Sequence, residues 1–555
     1  MAINRRIFLL GMAGALNGCF SPPASQGSYS KPGGIYFRDR AAVSGLNYTW
    51  NIAGARPLNI LQTIGNGCAF LDYNADGNLD ILLVGQKLAL FEGDGQGHFH
   101  DVTALVGLDK FHGNFLGCAV GDYDNDGWPD LYISGYRSGI LLHNERGHRF
   151  VDTTAHSRIP AQQWGTSAAW VQTDPSRPLL DLYICNYCAF NSSSRQLCPD
   201  HGVMSSCGPR YYTPIPNRLY RNQGDGRFHD VTEEAGAAAT GRALGVACAA
   251  YNGSGAPAIA IANDEEPGDL LIPHSATKHL RYTNDGQKAN VAFDGNGNVH
   301  GGMGINWGDY DNDGRLDLLV ATFYNEEKCL YHNEGDGSFT DRSMQTGLGA
   351  YGMQYVTFGA AFLDANNNGW LDIALSNGHV QDNIHKIDPA LTYREPTLFL
   401  SNSGVGPIYY HDTSNNTGFD KLPRIVGRGL AVGDYDNDGR QDLLIVDSEG
   451  APLLLHNETH QAGHWLGIRL QGTKCNRDGY GTLIRAKFGG RTLLRHCHSD
   501  GSYLSACDSR VHFGLGTAAT VDDLNVQWPD GSTSHFSGIV ADRYITIRQD
   551  SSTIG

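Results

Sequence analysis

Apolar residues in this chain fall in short runs of β-formers, as in "DLYI" from Asp130, "DLLV" from Asp317 and "DLLI" from Asp442. Runs this short, bounded by Gly and Asp, are the pattern of buried strands rather than of helices, whose apolar stripes are longer and spaced at three and four. Each run follows a polar nonapeptide: "GDYDNDGWPDLYI" begins at Gly121, "GDYDNDGRLDLLV" at Gly308 and "GDYDNDGRQDLLI" at Gly433. "LDYNADGNLDILLV" and "LDANNNGWLDIAL" repeat the phrase with small changes, and "TDPSRPLLDLYI" and "AYNGSGAPAIAIAN" are worn copies. The copies start at Asp72, Asp122, Thr173, Ala250, Asp309, Asp364 and Asp434, at intervals of 50 to 77 residues, which makes seven units. Six carry a Gly five residues earlier (Gly67, Gly117, Gly245, Gly304, Gly359, Gly429).

Downstream, "EGDGQGHFHDVT", "NERGHRFVDTT", "NQGDGRFHDVT" and "NEGDGSFTDRS" read as a Gly-bearing hairpin leading into an outer strand. Four short strands per unit, seven times over, predict an all-β, seven-bladed β-propeller, with a solenoid as the alternative. Closure favours the propeller. The last unit, from Gly429 to about Asn457, lacks its outer strand, while "IYFRDRAAVSGL" from Ile35 has such a strand with no unit before it. The N-terminal strand is therefore expected to complete the last blade.

The nonapeptide has a chemical reading. Asp122, Asp124, Asp126 and Asp130 stand at positions 1, 3, 5 and 9, with Gly127 at position 6. Alternating oxygens around a sharp Gly turn suit Ca²⁺, which takes six to eight oxygen ligands. The first half looks like an EF-hand loop, but position 12 is Ile133 where an EF-hand needs Glu, so this loop joins strands. About five Ca²⁺ sites are expected. Their candidate ligands are Asp72, Asn74, Asp76 and Asp80; Asp122, Asp124, Asp126 and Asp130; Asp309, Asp311, Asp313 and Asp317; Asp364, Asn366, Asn368 and Asp372; and Asp434, Asp436, Asp438 and Asp442. The third unit keeps only Asp181 and puts Arg177 at position 5, and the fourth has no carboxylate, so both are expected to be metal-free.

These repeats resemble the FG-GAP or VCBS repeats of integrin-α-type propellers, and the whole chain resembles the cartilage-acidic-protein-like family, here in a bacterial lipoprotein-like form. "HWLGIRLQGTKCNRDGYGTLIRAKFGG", "GSYLSACDSRVHFGLG" and "VDDLNVQWPDGS" follow the ASPIC/UnbV pattern. The expected organisation is a signal at 1–19, a tether at 20–34, the propeller at 35–459 with a Cys-rich insertion at about 185–216, and a separate small β domain at 460–550 that melts independently of calcium. The resemblance implies a binding or adhesion module for a protein or glycan. Its alternative is a cofactor- or metal-dependent enzyme, or an accessory protein of a biosynthetic pathway of the UnbV/enediyne kind.

The formal charge of −17 disfavours nucleic acid as a partner. Much of it is loop carboxylate, and five divalent ions would leave −7. "NRRIFLLGMAGALNGC" reads as a twin-arginine export signal ending in a lipoprotein-like box at Cys19, the chain's one expected tie to a membrane. Export favours disulfides over zinc for Cys185, Cys188, Cys198 and Cys207, with His201 among them. Cys68 and Cys118 read as small core residues, and Cys497 and Cys507 as able to close a hairpin. "RHCHSD" places His496 and His498 on one face of a strand, with His512 further on; a transition-metal pair is the sharp reading and surface histidines beside a disulfide the commoner one. His379 in "SNGH" has no assigned role. No G-x-S-x-G, H-E-x-x-H or P-loop phrase is present, so no catalytic residue is assigned.

Overall fold

The computed structural model describes residues 34–253, 256–274 and 281–555. The signal and the lipid candidate Cys19 lie outside them. Eight antiparallel four-stranded sheets are present among the described residues, and seven of them are each built on one repeat unit. In the second, Phe115–Gly121, Asp130–Gly135, Ile140–Asn144 and Phe150–Asp152 pair in chain order. The innermost strands are Cys68–Leu71, Phe115–Gly121, Gly165–Val171, Ala243–Ala249, Ile305–Gly308, Thr357–Leu363 and Gly427–Gly433. Each packs beside the next and the last beside the first, so the ring is closed. Phe37–Asp39 pairs with the third strand of the seventh sheet, Phe37 opposite Asn457, and the N-terminus completes the last blade as the sequence predicts.

The recurrent glycine has a steric cause. A Cβ on Gly245 would lie 2.2 Å from the Met303 carbonyl oxygen, and one on Gly304 2.2 Å from that of Phe358. Neighbouring inner strands converge on the channel too closely for a side chain.

The C-terminal residues build two sheets. Val511–Gly516 and Arg543–Arg548 flank His464–Gln471, the first antiparallel and the second parallel to it. The other runs in the order Arg491–His496, Leu483–Phe488, Thr520–Gln527, Thr533–Val540. Between Arg491–His496 and Val511–Gly516 the chain leaves these sheets and enters the propeller channel. There the Ala506 amide donates to Cys68 O (2.9 Å) and Phe70 N to Ala506 O (3.1 Å). Cys118 N donates to Leu504 O (3.1 Å), and Ser502 and Ile305 exchange both backbone bonds (2.7 and 3.0 Å). The Tyr503 hydroxyl reaches the Ile64 carbonyl (2.9 Å).

This plug ties the C-terminal residues to the propeller. Leu466, Ile484, Phe513 and Trp528 also share one apolar core with Tyr123, Trp170 and Leu182 of the second and third blades. Tyr503, Leu504 and Ala506 find their apolar partners in the propeller, not in their own sheets.

Among the described residues one disulfide, Cys198–Cys207, closes the hairpin of Leu197–Asp200 and Val203–Ser206 in the insertion. That removes two ligands from the zinc reading; Cys185 and Cys188 are free and buried. Cys497 and Cys507 are also free, contrary to the expected bridge, because the segment between them runs into the channel. Cys507 Sγ accepts from Val432 N (3.4 Å), and Cys497 lies 3.5 Å from the Asp478 and Ser509 carbonyl oxygens. Cys68 and Cys118 are core residues, as expected.

Candidate metal loops and the domain that covers them

All five intact loops join the first two strands of a blade and share one hydrogen-bond plan. The position-1 carboxylate accepts from the backbone amides of positions 5 and 6: Asp122 takes Asp126 N (3.0 Å) and Gly127 N (2.8 Å), Asp309 takes Asp313 N (3.0 Å) and Gly314 N (3.1 Å). Asp72, Asp364 and Asp434 do the same. The position-9 carboxylate is buried and accepts from the position-2 amide and from the last residue of the third strand. For Asp442 these donors are Tyr435 N (3.2 Å) and Asn457 N (2.7 Å). Position 6 is a left-handed Gly in every loop (φ 92°, 99°, 88°, 87° and 83°), where a side chain would be strained.

Positions 3 and 5 complete a cluster of oxygens. Asp122, Asp124 and Asp126 form one such group and Asp309, Asp311 and Asp317 another, the ligand atoms of each lying within 4.8 Å of one another. At position 3, Asn366 Oδ1 and Asp436 Oδ1 are buried with no hydrogen-bond partner. Burial, with repulsion from Asp72 and Asp76, raises Asp80 to about 8, and burial, with repulsion first from Asp478 and then from Asp130 and Asp124, raises Asp122 to about 9. Orphaned oxygens and carboxylates resisting ionisation fit a hard divalent cation, which would be held by the side chains of positions 1, 3, 5 and 9 and the position-7 carbonyl.

Three histidines escaped the sequence reading. His143, His332 and His456 project from third strands onto Asp130, Asp317 and Asp442, with Nδ1 to Oδ1 distances of 3.0, 3.1 and 3.3 Å. The bond to Asp130 raises the His143 imidazole to about 9. His143 donates to Asp130 and fixes its orientation, while His332 and His456 lie at ion-pair distance from Asp317 and Asp442. The signal was the repeated His-Asn in "LLHN", "LYHN" and "LLHN". The Asn stitches the ring: Asn144 Nδ2 reaches Tyr73 O of the preceding blade's loop (2.8 Å), Asn402 reaches Tyr310 O (2.9 Å) and Asn457 reaches Ala365 O (2.8 Å).

The two worn loops are built differently. In the third blade the Thr173 hydroxyl hydrogen-bonds Asp181, and Arg177 donates to Asn222 O, so protein groups occupy that cradle.

The C-terminal domain lies on the loop-bearing face. Arg469 Nη2 pairs with Asp72 (2.6 Å), Asp478 Oδ2 accepts from Asp122 N (2.7 Å) and Tyr544 Oη meets Asp434 (2.6 Å). Arg491 Nη1 donates to Asn368 O (2.9 Å) and Arg510 Nη2 to Asp434 O (2.6 Å). Four of the five loops are thus tied directly to that domain. The opposite face carries the Cys-rich insertion and the buried His379, whose ring lies beside Phe323 and Tyr324 (centroids 5.8 and 5.5 Å).

These features define an acidic-loop β-propeller whose C-terminal β domain plugs its channel. A family model described as FG-GAP-like repeat matches residues 72–133 and 309–375, and one described as ASPIC and UnbV matches 472–554. The chain is similar to cartilage acidic protein 1 of Mus musculus, 24% identical over 75% of this chain and 70% of that one. It is similar also to cartilage acidic protein 1 of Homo sapiens, 23% identical over 75% and 69%. Among solved structures, an Agrocybe aegerita lectin recognising non-reducing terminal N-acetylglucosamine aligns over 69% of this chain and 86% of its own, at 15% identity and a TM-score of 0.38, too distant to carry an argument.

Proposed function

We propose that the protein is an exported, calcium-binding propeller that serves as a binding module for a protein or glycan. Ions in the five loops set the ring, and the C-terminal domain occupies the loop face, which leaves the opposite face for a partner. The observation that carries the reading is a cavity of about 490 Å³ on that face, lined by Tyr48, Trp50, Asn51, Asn66, Gln86 and Asn114 among others and by no carboxylate. Cavities of this size accommodate small ligands or a projecting group of a larger one. The Tyr48 ring is fixed against Trp50 (centroids 4.7 Å apart), and primary amides offer both donors and an acceptor to hydroxyl or peptide groups. Export is supported by the Arg5-Arg6 signal pattern in the sequence.

The test is binding of the purified chain to glycan and surface-protein arrays, in Ca²⁺ and in EGTA. The expected result is a Ca²⁺-dependent signal lost in Tyr48→Ala and Asn66→Ala. No signal on either array, or a signal indifferent to both variants, overturns the proposal.

A further inference from the structure

A second cavity, of about 100 Å³, lies between the propeller and the C-terminal domain, and the side chains of His496, His498 and His512 all line it. His496 is 8% exposed, and its Nε2 is buried without a hydrogen-bond partner. This corrects the reading of surface histidines. His512 Nε2 lies 2.8 Å from Asn367 Oδ1, an acceptor, so Nε2 carries the proton and Nδ1 is left with a lone pair; that Nδ1 is buried and unpartnered. His498 Nδ1 lies 2.8 Å from the Asp500 carbonyl oxygen, which fixes its proton there and frees Nε2. Two imidazoles thus donate through one nitrogen to an outer acceptor and hold the other in reserve, as metal-ligating histidines do.

We propose that His496, His498 and His512 form a site for one borderline divalent cation of the zinc, copper or nickel class, separate from the hard-cation loops. Imidazole nitrogen selects such ions over Ca²⁺, which takes oxygen. Asp309, Asp364 and Asp508 line the same cavity together with Arg495 and Arg510. Arg495 is already spent on the Leu494 and Gly369 carbonyl oxygens, and Arg510 on Asp508 and Asp434 O. The His496 and His498 rings stack in parallel, centroids 4.0 Å apart. Parallel lone pairs do not converge, so binding turns one ring about its Cβ–Cγ bond.

The test uses the full chain, stripped with EDTA and resupplied with excess Ca²⁺. Zn²⁺ or Co²⁺ is then titrated, with bound metal counted by mass spectrometry after gel filtration and cobalt ligation read from its visible spectrum. The expected result is one retained transition ion per chain that millimolar Ca²⁺ does not displace, with a spectrum of nitrogen ligation. His512→Gln and the less buried His498→Asn should each weaken retention at least about tenfold, the loss that follows even from removing an outer partner. His98→Gln, at an exposed histidine paired with Asp94, should retain the ion unchanged. Wild-type protein that retains no ion, or an ion that Ca²⁺ displaces, refutes the site without recourse to any variant. Retention unchanged in His498→Asn and His512→Gln refutes the ligand assignment.

Discussion

Replacing Tyr503 by Ala tests whether the plug joins the two parts of the molecule into one cooperative unit. Tyr503 belongs to the C-terminal segment but spends its side chain in the propeller: it is fully buried, its ring lies 4.9 Å from Phe358 by centroids, and its hydroxyl donates to Ile64 O. Truncating a buried aromatic costs roughly 3–5 kcal/mol, and an unpaired buried carbonyl about 1–3 more, so about 5 kcal/mol is a central figure. Unfolding entropy is roughly 2.1 cal/mol/K per residue, or about 1.1 kcal/mol/K over about 520 residues melting together. The melting temperature should therefore fall by about 5 °C in a single transition. If the C-terminal domain melted alone, its far smaller entropy would turn the same loss into a shift of more than about 20 °C confined to one of two transitions. Calorimetry, with hydrogen exchange read separately on Cys68–Leu71 and on Leu483–Phe488, distinguishes the two. Two transitions, with exchange in Cys68–Leu71 unaffected by the substitution, would refute the coupling.

Two further outcomes follow from the loops. Asp80, Asp122, Asp130, Asp317 and Asp442 all have folded-state values raised above the ordinary carboxylate, to about 7–9. In metal-free protein their contribution to stability is full below about pH 4 and is lost as pH rises through 7–9, because the folded state binds more protons there. EGTA-treated protein should thus melt lower at pH 8 than at pH 6, and saturating Ca²⁺ should abolish that fall; a metal-free melting temperature that rises over this interval contradicts it. Asn457→Ala removes the stitches to Ala365 O and Gln441 O, leaves both carbonyls unpaired at a cost of about 1–3 kcal/mol each, and should lower the urea midpoint without changing its slope.

The repeat made the fold legible. Acidic nonapeptides and F-x-D strands recur at fixed offsets, and the unpaired strand near Ile35 announced the closing blade. The loop ligands were legible for the same reason, since spacing within nine residues is a local property. What the sequence hid was long-range. Tyr503, Leu504 and Ala506 form no periodic run, so nothing local marks them as filling a channel built by residues as far as 439 positions away. Arg469, Asp478 and Arg510 read as ordinary turn and strand residues until the fold sets them over the loops. His143, His332 and His456 were visible in a repeated dipeptide, but their role depends on a cross-strand register that the dipeptide does not state.

The most direct test of the account is a count of bound calcium by equilibrium dialysis, on EDTA-stripped protein resupplied with Ca²⁺ in the presence of Mg²⁺. Five intact loops predict five Ca²⁺ per chain, and Asp126→Ala, which removes one side-chain ligand from one loop, predicts four at the same free Ca²⁺. Wild-type protein that binds no Ca²⁺, or an Asp126→Ala variant whose stoichiometry and affinities match the wild type, would contradict the claim that these loops are ion sites.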